Sequence, residues 1–219
     1  MIKVLHIMNG ANAGGISSVV LNYYSRINRE EFHFDCAMTD MNLGPNGLAL
    51  QELGTEFFEI PLKSKHPFKF IIILYKLLKK GKYDVIHVHN NESSLLALII
   101  ATVAGIKKRV AHAHTVRRDE RISVKIKLLI SHIFIRMFAT KMVACTTNAA
   151  ISIFGKGSIN SNKTIILKNS IDTKRYQYRE EVREEVRREL NLKNKFVLGC
   201  VGNLLPEKNY FFAIDIVES

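Results

Sequence analysis

The chain is predicted to fold as a doubly wound α/β domain on a parallel sheet, on three observations. Short β-rich runs alternate with apolar-periodic segments of ten or more residues, the pattern of βαβ units. The β-rich runs are nearly continuous in Val, Ile and Leu, as in strands covered on both faces. The chain has 219 residues, 47% of them apolar, which is enough for a large core.

The elements follow in order. KVLHIM (Lys3–Met8) reads as a buried strand, followed by the loop NGANAGG and a helix over 16–27. FHFDCAM (Phe32–Met38) is a second strand. A short helix over 47–53 leads to TEFFEI, a third strand. A helix spans 68–80 and is closed by Gly81; DVIHVH (Asp84–His89) is a fourth strand. A helix over 93–104 ends at Gly105, before a fifth strand at 109–113. A long basic helix covers 122–139, a sixth strand MVACT covers 142–146, a helix 148–154, and TIILKN (Thr164–Asn169) is a seventh strand.

The texture then changes. Residues 174–195 are densely charged, with Glu and Arg at helical spacing, and read as a solvated connector. FVLGCVGNL (Phe196–Leu204) reads as a new buried strand, with a helix over 206–218 behind it. The expected partition is a Rossmann-like domain at 1–172, a connector at 173–195, and the first strand and helix of a second domain at 196–219, which one βα unit cannot complete.

Charge and cysteines narrow the function classes. A formal charge of +12 points to anionic partners. Ile60–Lys82 holds seven lysines and no acid; Lys107–Arg136 holds nine basic residues and two acids. Both interleave charge with apolar residues, which suits amphipathic helices over a sheet and an anionic membrane surface. Nucleic acid is not expected, since no helix-turn-helix or aromatic-rich basic sheet is visible. Cys36, Cys145 and Cys200 show no metal spacing and read as three buried thiols of a reducing compartment. There is no signal-peptide pattern, and no apolar run reaches the ~20 residues of a membrane span. The expected location is cytoplasmic, with the inner face of the membrane as a docking surface.

In sheets of this class, ligands bind beyond the carboxyl ends of strands. The informative residues are there. Gly14 and Gly15 precede a helix, where free N–H groups and the positive end of the helix dipole suit an anion; Ser17 and Ser18 add hydroxyls. An ordinary βα turn fits the same residues, and the spacing is not G-x-G-x-x-G, which disfavours a dinucleotide oxidoreductase. His87 and His89 share one face of the fourth strand; His89 and Asn90 reach its carboxyl end, and His87 reads as structural. His112 and His114 end the fifth strand, with His112 as packing. Two histidines two residues apart can ligate a metal, but no third ligand stands at a matching spacing, so no metal is expected.

Taken in order, NAGGISSVV, DVIHVHN, ILKNSID and FVLGCVGNLLPEKN resemble the family 4 retaining glycosyltransferases, of GT-B fold, particularly those that build bacterial surface polysaccharides. The resemblance implies a transferase that moves a sugar from a nucleotide-sugar donor to a hydroxyl acceptor, as on a lipid-linked saccharide, with no metal or other cofactor. It implies that Gly14 and Gly15 lie against the donor diphosphate and that His114 lies near the transferred sugar. His89 and Asn90, by their place at a strand's carboxyl end, are the candidates to touch the acceptor, with Glu92 as the alternative to Asn90. In the opening turn of the second domain, Lys208 fits a phosphate-gripping lysine, and Asn203 stands where an arginine is usual. The family's later acidic motif has no counterpart here, so these 219 residues are expected to be inactive alone. The alternative is a non-catalytic module that binds acceptor or membrane. ILKNSID differs from the usual Asn-Gly-Ile-Asp at Ser170, and Asn169 and Asp172 read as turn and cap residues.

Overall fold

A computed structural model describes residues 1–117, 121–202, 204 and 208–218. It comprises two compact units, Met1–Ile171 and Asp172–Ser219.

The first unit contains β1 (Ile2–Met8), α1 (Gly15–Tyr24), β2 (Phe32–Met38), α2 (Pro45–Glu52), β3 (Phe57–Glu59), α3 (Pro67–Gly81) and β4 (Val85–Val88). A 3-10 turn (Asn91–Ser94) leads into α4 (Leu95–Val103), followed by β5 (Lys108–Ala113), α5 (Ile122–Phe138), β6 (Lys141–Ala144), α6 (Thr147–Phe154) and β7 (Thr164–Ile166). The seven strands form one sheet, ordered β3-β2-β1-β4-β5-β6-β7, with every pair parallel. This is the fold class the alternating pattern predicts.

Strand alternation sorts the sheet's side chains into two cores. Leu5 and Ile7 pack with Ile86, Val88, Ala111 and Ala113 against Leu74, Leu78 and Leu98 of α3 and α4. Val4 and Met8 pack with Phe34, Cys36 and Met38 against Val20, Tyr24 and Leu50 of α1 and α2. His6 alternates with Leu5 and Ile7 and therefore lies on the second face. The winding reverses between β1 and β4, so the crevice of a doubly wound sheet opens beyond Met8 and Val88.

Several expectations are corrected. Gly81 is the last residue of α3, and Lys82 takes the left-handed conformation that ends it (φ 51°). Gly81 is set by packing: a Cβ there would stand 2.2 Å from Cε2 of Tyr83. The predicted strand over 196–204 is absent among the described residues. Phe196 and Val201 are fully exposed, and without a neighbouring strand their backbone gains no ladder hydrogen bonds. The second unit instead holds a 3-10 turn (Thr173–Tyr176) capped by Asp172, then α7 (Glu180–Glu189) and α8 (Tyr210–Glu218). Arg183 pairs with Glu180 at i,i+3 along α7, as the helical charge spacing implies, and also with the adjacent Glu184. Only Cys36 is buried; Cys145 is half-buried and Cys200 exposed.

Candidate functional site

The glycine loop meets the expected helix start. Gly14 caps α1 in an extended conformation (φ −117°, ψ 159°), and its N–H donates to Asn12 O at 2.7 Å. Neither Gly14 nor Gly15 has positive φ, so backbone freedom is not what they supply here. The space beside Gly15 is open: a Cβ there would meet no protein atom within 4 Å. The first N–H groups of α1, which a helix leaves without internal acceptors, border a cavity of about 360 Å³ lined by Asn9, Asn12, Gly14, Gly15 and Thr39. Asp40 lines the same cavity. Ser17 is not a free donor. It is buried, its hydroxyl hydrogen-bonds the Asn12 carbonyl and lies 3.0 Å from the Gly14 carbonyl, and it accepts from Asn46 Nδ2 at 3.0 Å.

A second cavity, of about 340 Å³, shares Asn9, Ile16 and Thr39 with the first and adds His89, Asn90, Asn91 and Arg117. It lies where the switch-point rule puts a ligand. Asn90 Oδ1 is buried there with no protein partner among the described residues. Asn91, which sequence reasoning passed over, holds two loops together. In the left-handed conformation (φ 48°), it accepts from the His114 N–H at 2.9 Å and donates to Thr115 Oγ1 at 3.3 Å. Consecutive asparagines after a strand are a signal for such a turn, because Asn tolerates positive φ.

A third cavity, of about 580 Å³, continues from the second through Lys63 and Arg117. Leu95, Leu96 and Ile99 of α4 and Val124 and Leu128 of α5 line it, beside Arg121 and Lys127. It pairs an apolar wall with basic side chains.

The histidines form a slab that no local spacing reveals. His6 of β1, His87 and His89 on and just past β4, and His112 and His114 on and just past β5 share one face, since His6 registers with His87 and His87 with Val110. His87 and His89 stack at 4.3 Å between ring centroids, and His112 and His114 at 4.0 Å. His6 Nδ1 lies 2.9 Å from His89 Nε2, His89 Nδ1 lies 2.8 Å from His114 Nε2, and His87 Nε2 lies 3.1 Å from His112 Nδ1. Burial lowers all five from the usual histidine range. His6 falls to about 3, His112 to about 2 and His114 to about 4, with further lowering of His6 and His112 by neighbouring rings. His87 and His89 are pushed well down, by burial first and then by the surrounding rings.

The predicted residues are thus only partly brought together. Gly14 and Gly15 line the first cavity, and His89 and Asn90 the second. His114 reaches His89 by hydrogen bond but lines neither. Lys208 is exposed in the second unit, and Asn203 lies outside the described residues. The third metal ligand that sequence spacing lacked is supplied across strands. His6, His87 and His89, and also His89, His112 and His114, bring ligand nitrogens within 4.8 Å of one another.

Comparison with known proteins identifies the family. The family model of Glycosyltransferase Family 4 matches residues 13–175. The putative glycosyltransferase EpsF of Bacillus subtilis (strain 168) is 23% identical over 98% of this chain. A UDP-Gal:alpha-D-GlcNAc-diphosphoundecaprenol alpha-1,3-galactosyltransferase of Escherichia coli is 29% identical over 99% of it. The chain spans 57% of the length of each. Anabaena HepE, solved in complex with UDP and glucose, superposes with a TM-score of 0.75 at 18% identity, over 99% of this chain and 58% of that one. That likeness is one of fold.

Proposed function

The chain belongs to Glycosyltransferase Family 4, and from that premise we propose that it carries the acceptor side of a sugar transferase. In this reading the bond between the sugar's anomeric carbon and the donor phosphate breaks, and a bond from that carbon to an acceptor hydroxyl forms with the anomeric configuration retained. The hydroxyl proton leaves with the nucleoside diphosphate, and no metal takes part. The observation that carries the reading is the row of three adjoining cavities at the carboxyl end of the sheet, joined through Asn9, Ile16 and Thr39 and then through Lys63 and Arg117.

The first cavity suits the donor. Its α1 wall offers N–H groups and the positive end of the helix dipole to a phosphate, and Asp40 on the same cavity suits hydroxyls. The central cavity suits the reacting hydroxyl, with His89 and Asn90 on its wall, and His114, one hydrogen bond behind His89, is assigned to the transferred sugar or the departing phosphate. The third suits a lipid-linked diphosphate saccharide, since apolar residues of α4 and α5 stand beside Lys63, Arg117, Arg121 and Lys127. The E. coli relative's name describes such an acceptor. Lys208, with Asn203 where an arginine is usual, is assigned to the donor diphosphate. Residues 1–172 form the acceptor-side domain, 173–195 the connector, and 196–219 the opening of the donor-side domain.

The same reading puts the protein at the cytoplasmic face of a membrane. Among the described residues no helix is long and apolar enough to cross one. Phe68 and Ile72 on α3, and Ile122, Ile126, Leu129 and Ile133 on α5, are exposed among Lys and Arg. A basic apolar face attracts an anionic leaflet by about 1 kcal/mol per cation near the surface. Sedimentation with anionic liposomes tests this; binding indifferent to anionic lipid and to salt would remove the membrane from the reading.

The activity is tested with the 219-residue chain and with a chain extended to its relatives' length, each given a panel of nucleotide sugars and a lipid-linked diphosphate saccharide. Turnover is expected in the extended chain and not in the shorter one, and His114→Ala is expected to lower kcat. An extended chain silent with every donor, with donor binding unaffected by Lys208→Ala, would leave the second reading: a module that holds acceptor or membrane without chemistry.

A further inference from the structure

Three of the clustered histidines form a continuous hydrogen-bonded chain. His6 Nδ1 meets His89 Nε2 at 2.9 Å, and His89 Nδ1 meets His114 Nε2 at 2.8 Å. Both nitrogens of His89 are used. The His87–His112 pair, at 3.1 Å, is separate from this chain and touches it only by ring stacking. Burial keeps the three rings neutral near pH 7. A neutral imidazole has one N–H and one bare nitrogen. Three such rings joined by two hydrogen bonds admit only two arrangements, because the single proton of His89 serves one bond or the other.

In the first arrangement His6 donates from Nδ1, His89 donates from Nδ1, and His114 keeps its proton on its own Nδ1. The unshared atom at the inner end is then the bare Nε2 of His6. In the second, every proton moves to the opposite nitrogen. His6 then holds a proton on Nε2, and His114 donates inward from Nε2 and turns a bare Nδ1 outward. His6 is 3% exposed, and its Nε2 has no protein partner among the described residues. Orphaned buried N–H groups are rarer than under-satisfied acceptors, so the first arrangement is favoured. Its outer end suits a ligand oxygen: His114 Nδ1 has no hydrogen bond among the described residues, and Asn91 and Cys145 anchor the His114 backbone from either side.

We propose that His6 and His89 are positioning residues whose hydrogen-bonded chain fixes His114 as its Nδ1–H tautomer, so that this ring donates to an oxygen of the bound sugar or phosphate. The function assigned to that donated bond rests on the reading of His114 given above; the tautomer does not. Isolated histidine side chains in water favour the Nε2–H form, so the protein holds His114 in the less common one. Metal ligation of the same rings calls for a different geometry. Two nitrogens on one tetrahedral zinc, each at ~2.0–2.1 Å, stand about 3.3 Å apart. The 2.8 and 2.9 Å separations here are hydrogen-bond distances.

The test is long-range nitrogen–proton correlation on the 219-residue chain labelled with ¹⁵N-histidine, without any sugar donor. The expected spectrum shows His114 protonated on Nδ1. In His6→Phe the inner donor is lost, and His114 is expected to shift toward Nε2–H. His6→Asn, whose amide can donate from near the position of Nδ1, is expected to restore the wild-type pattern. Nε2–H on His114 in the unsubstituted chain overturns the proposal, and this reading needs no variant to fold. An unchanged tautomer in a folded His6→Phe also overturns it. Shifts of metal-bound nitrogens with one equivalent of zinc in the purified chain would replace the relay with a metal site. Because the tautomer is read without turnover, its failure is distinct from a failure of the transferase reading, which the extended-chain assay decides.

Discussion

The Asn46 side chain donates to Ser17 Oγ at 3.0 Å, and the same amide reaches Ser18 Oγ at 3.0 Å and the Asn12 carbonyl at 3.2 Å. One residue of α2 thus braces the glycine loop and the first turn of α1, and the hydroxyl of Ser17 is spent on the loop's own carbonyls. Asn46→Ala is expected to cost about 0.5–1.5 kcal/mol, the net worth of a typical intramolecular hydrogen bond. It should also speed amide exchange over 14–18. Urea denaturation and hydrogen exchange check this; an unchanged midpoint with unchanged exchange would show that the brace is idle.

Gly81 is expected to resist substitution although its helix would welcome alanine. A Cβ there would stand 2.2 Å from Cε2 and 2.8 Å from Cδ2 of Tyr83. That ring is buried and anchored through its hydroxyl to Asp35, so it cannot simply swing away. Gly81→Ala should destabilise by about 1–3 kcal/mol, as overpacking does, against the ~1 kcal/mol that helix propensity alone would add. A gain in thermal midpoint would contradict the packing argument.

Asp35 is 1% exposed. Three groups reach its carboxylate: Tyr83 OH at 3.0 Å, the Glu56 N–H at 3.0 Å and His33 Nε2 at 2.9 Å. Burial, and then the Asp35 charge beside it, push the Tyr83 hydroxyl far above the usual tyrosine range, so it stays a donor. Tyr83→Phe is expected to cost about 1–3 kcal/mol by leaving part of a buried carboxylate unpaired. In Asp35→Asn the same substitution should cost less. A double-mutant cycle with denaturant measures the difference, and strict additivity would rule out the coupling.

Acid should unfold this protein through its histidines. His6, His87, His89, His112 and His114 all titrate below the ordinary value of 6.5, so below that pH the unfolded chain binds more protons than the native one. Stability rises with pH wherever the unfolded state holds more protons. The rings therefore contribute no pH dependence above about pH 6.5, and stability falls as the pH drops toward their folded values, near 4 for His114. Each ring contributes up to about 1.4 kcal/mol per pH unit in that window. Urea midpoints at pH 7.5, 6 and 5 test this; equal midpoints would mean that the rings are protonated as readily in the native state as in the unfolded one.

Local pattern was enough for the parallel sheet and its helices. Runs of Val, Ile and Leu and helical periodicity depend on near neighbours in the chain, and every strand of the first unit lies within a residue or a few of its predicted place. The switch-point loops followed from the same alternation, which is why Gly14, Gly15, His89 and Asn90 were legible as cavity residues. The strand expected at 196–204 shows the limit: an apolar run forms a strand only beside a partner, and the pattern does not contain the partner. The occupation of Ser17 by Asn46, across 29 positions, was equally out of reach.

The histidines divide the two kinds of information most clearly. The residues at 87, 89, 112 and 114 announce two pairs on two strands, because side chains two apart share a face. That His6, 83 positions before His89, completes a hydrogen-bonded row depends on the order β1-β4-β5 and on the register that sets His6 beside His87. Register and strand order arise from packing of the whole sheet, so the chain's own residues determined the parts of this site, and tertiary structure alone decided which of them touch.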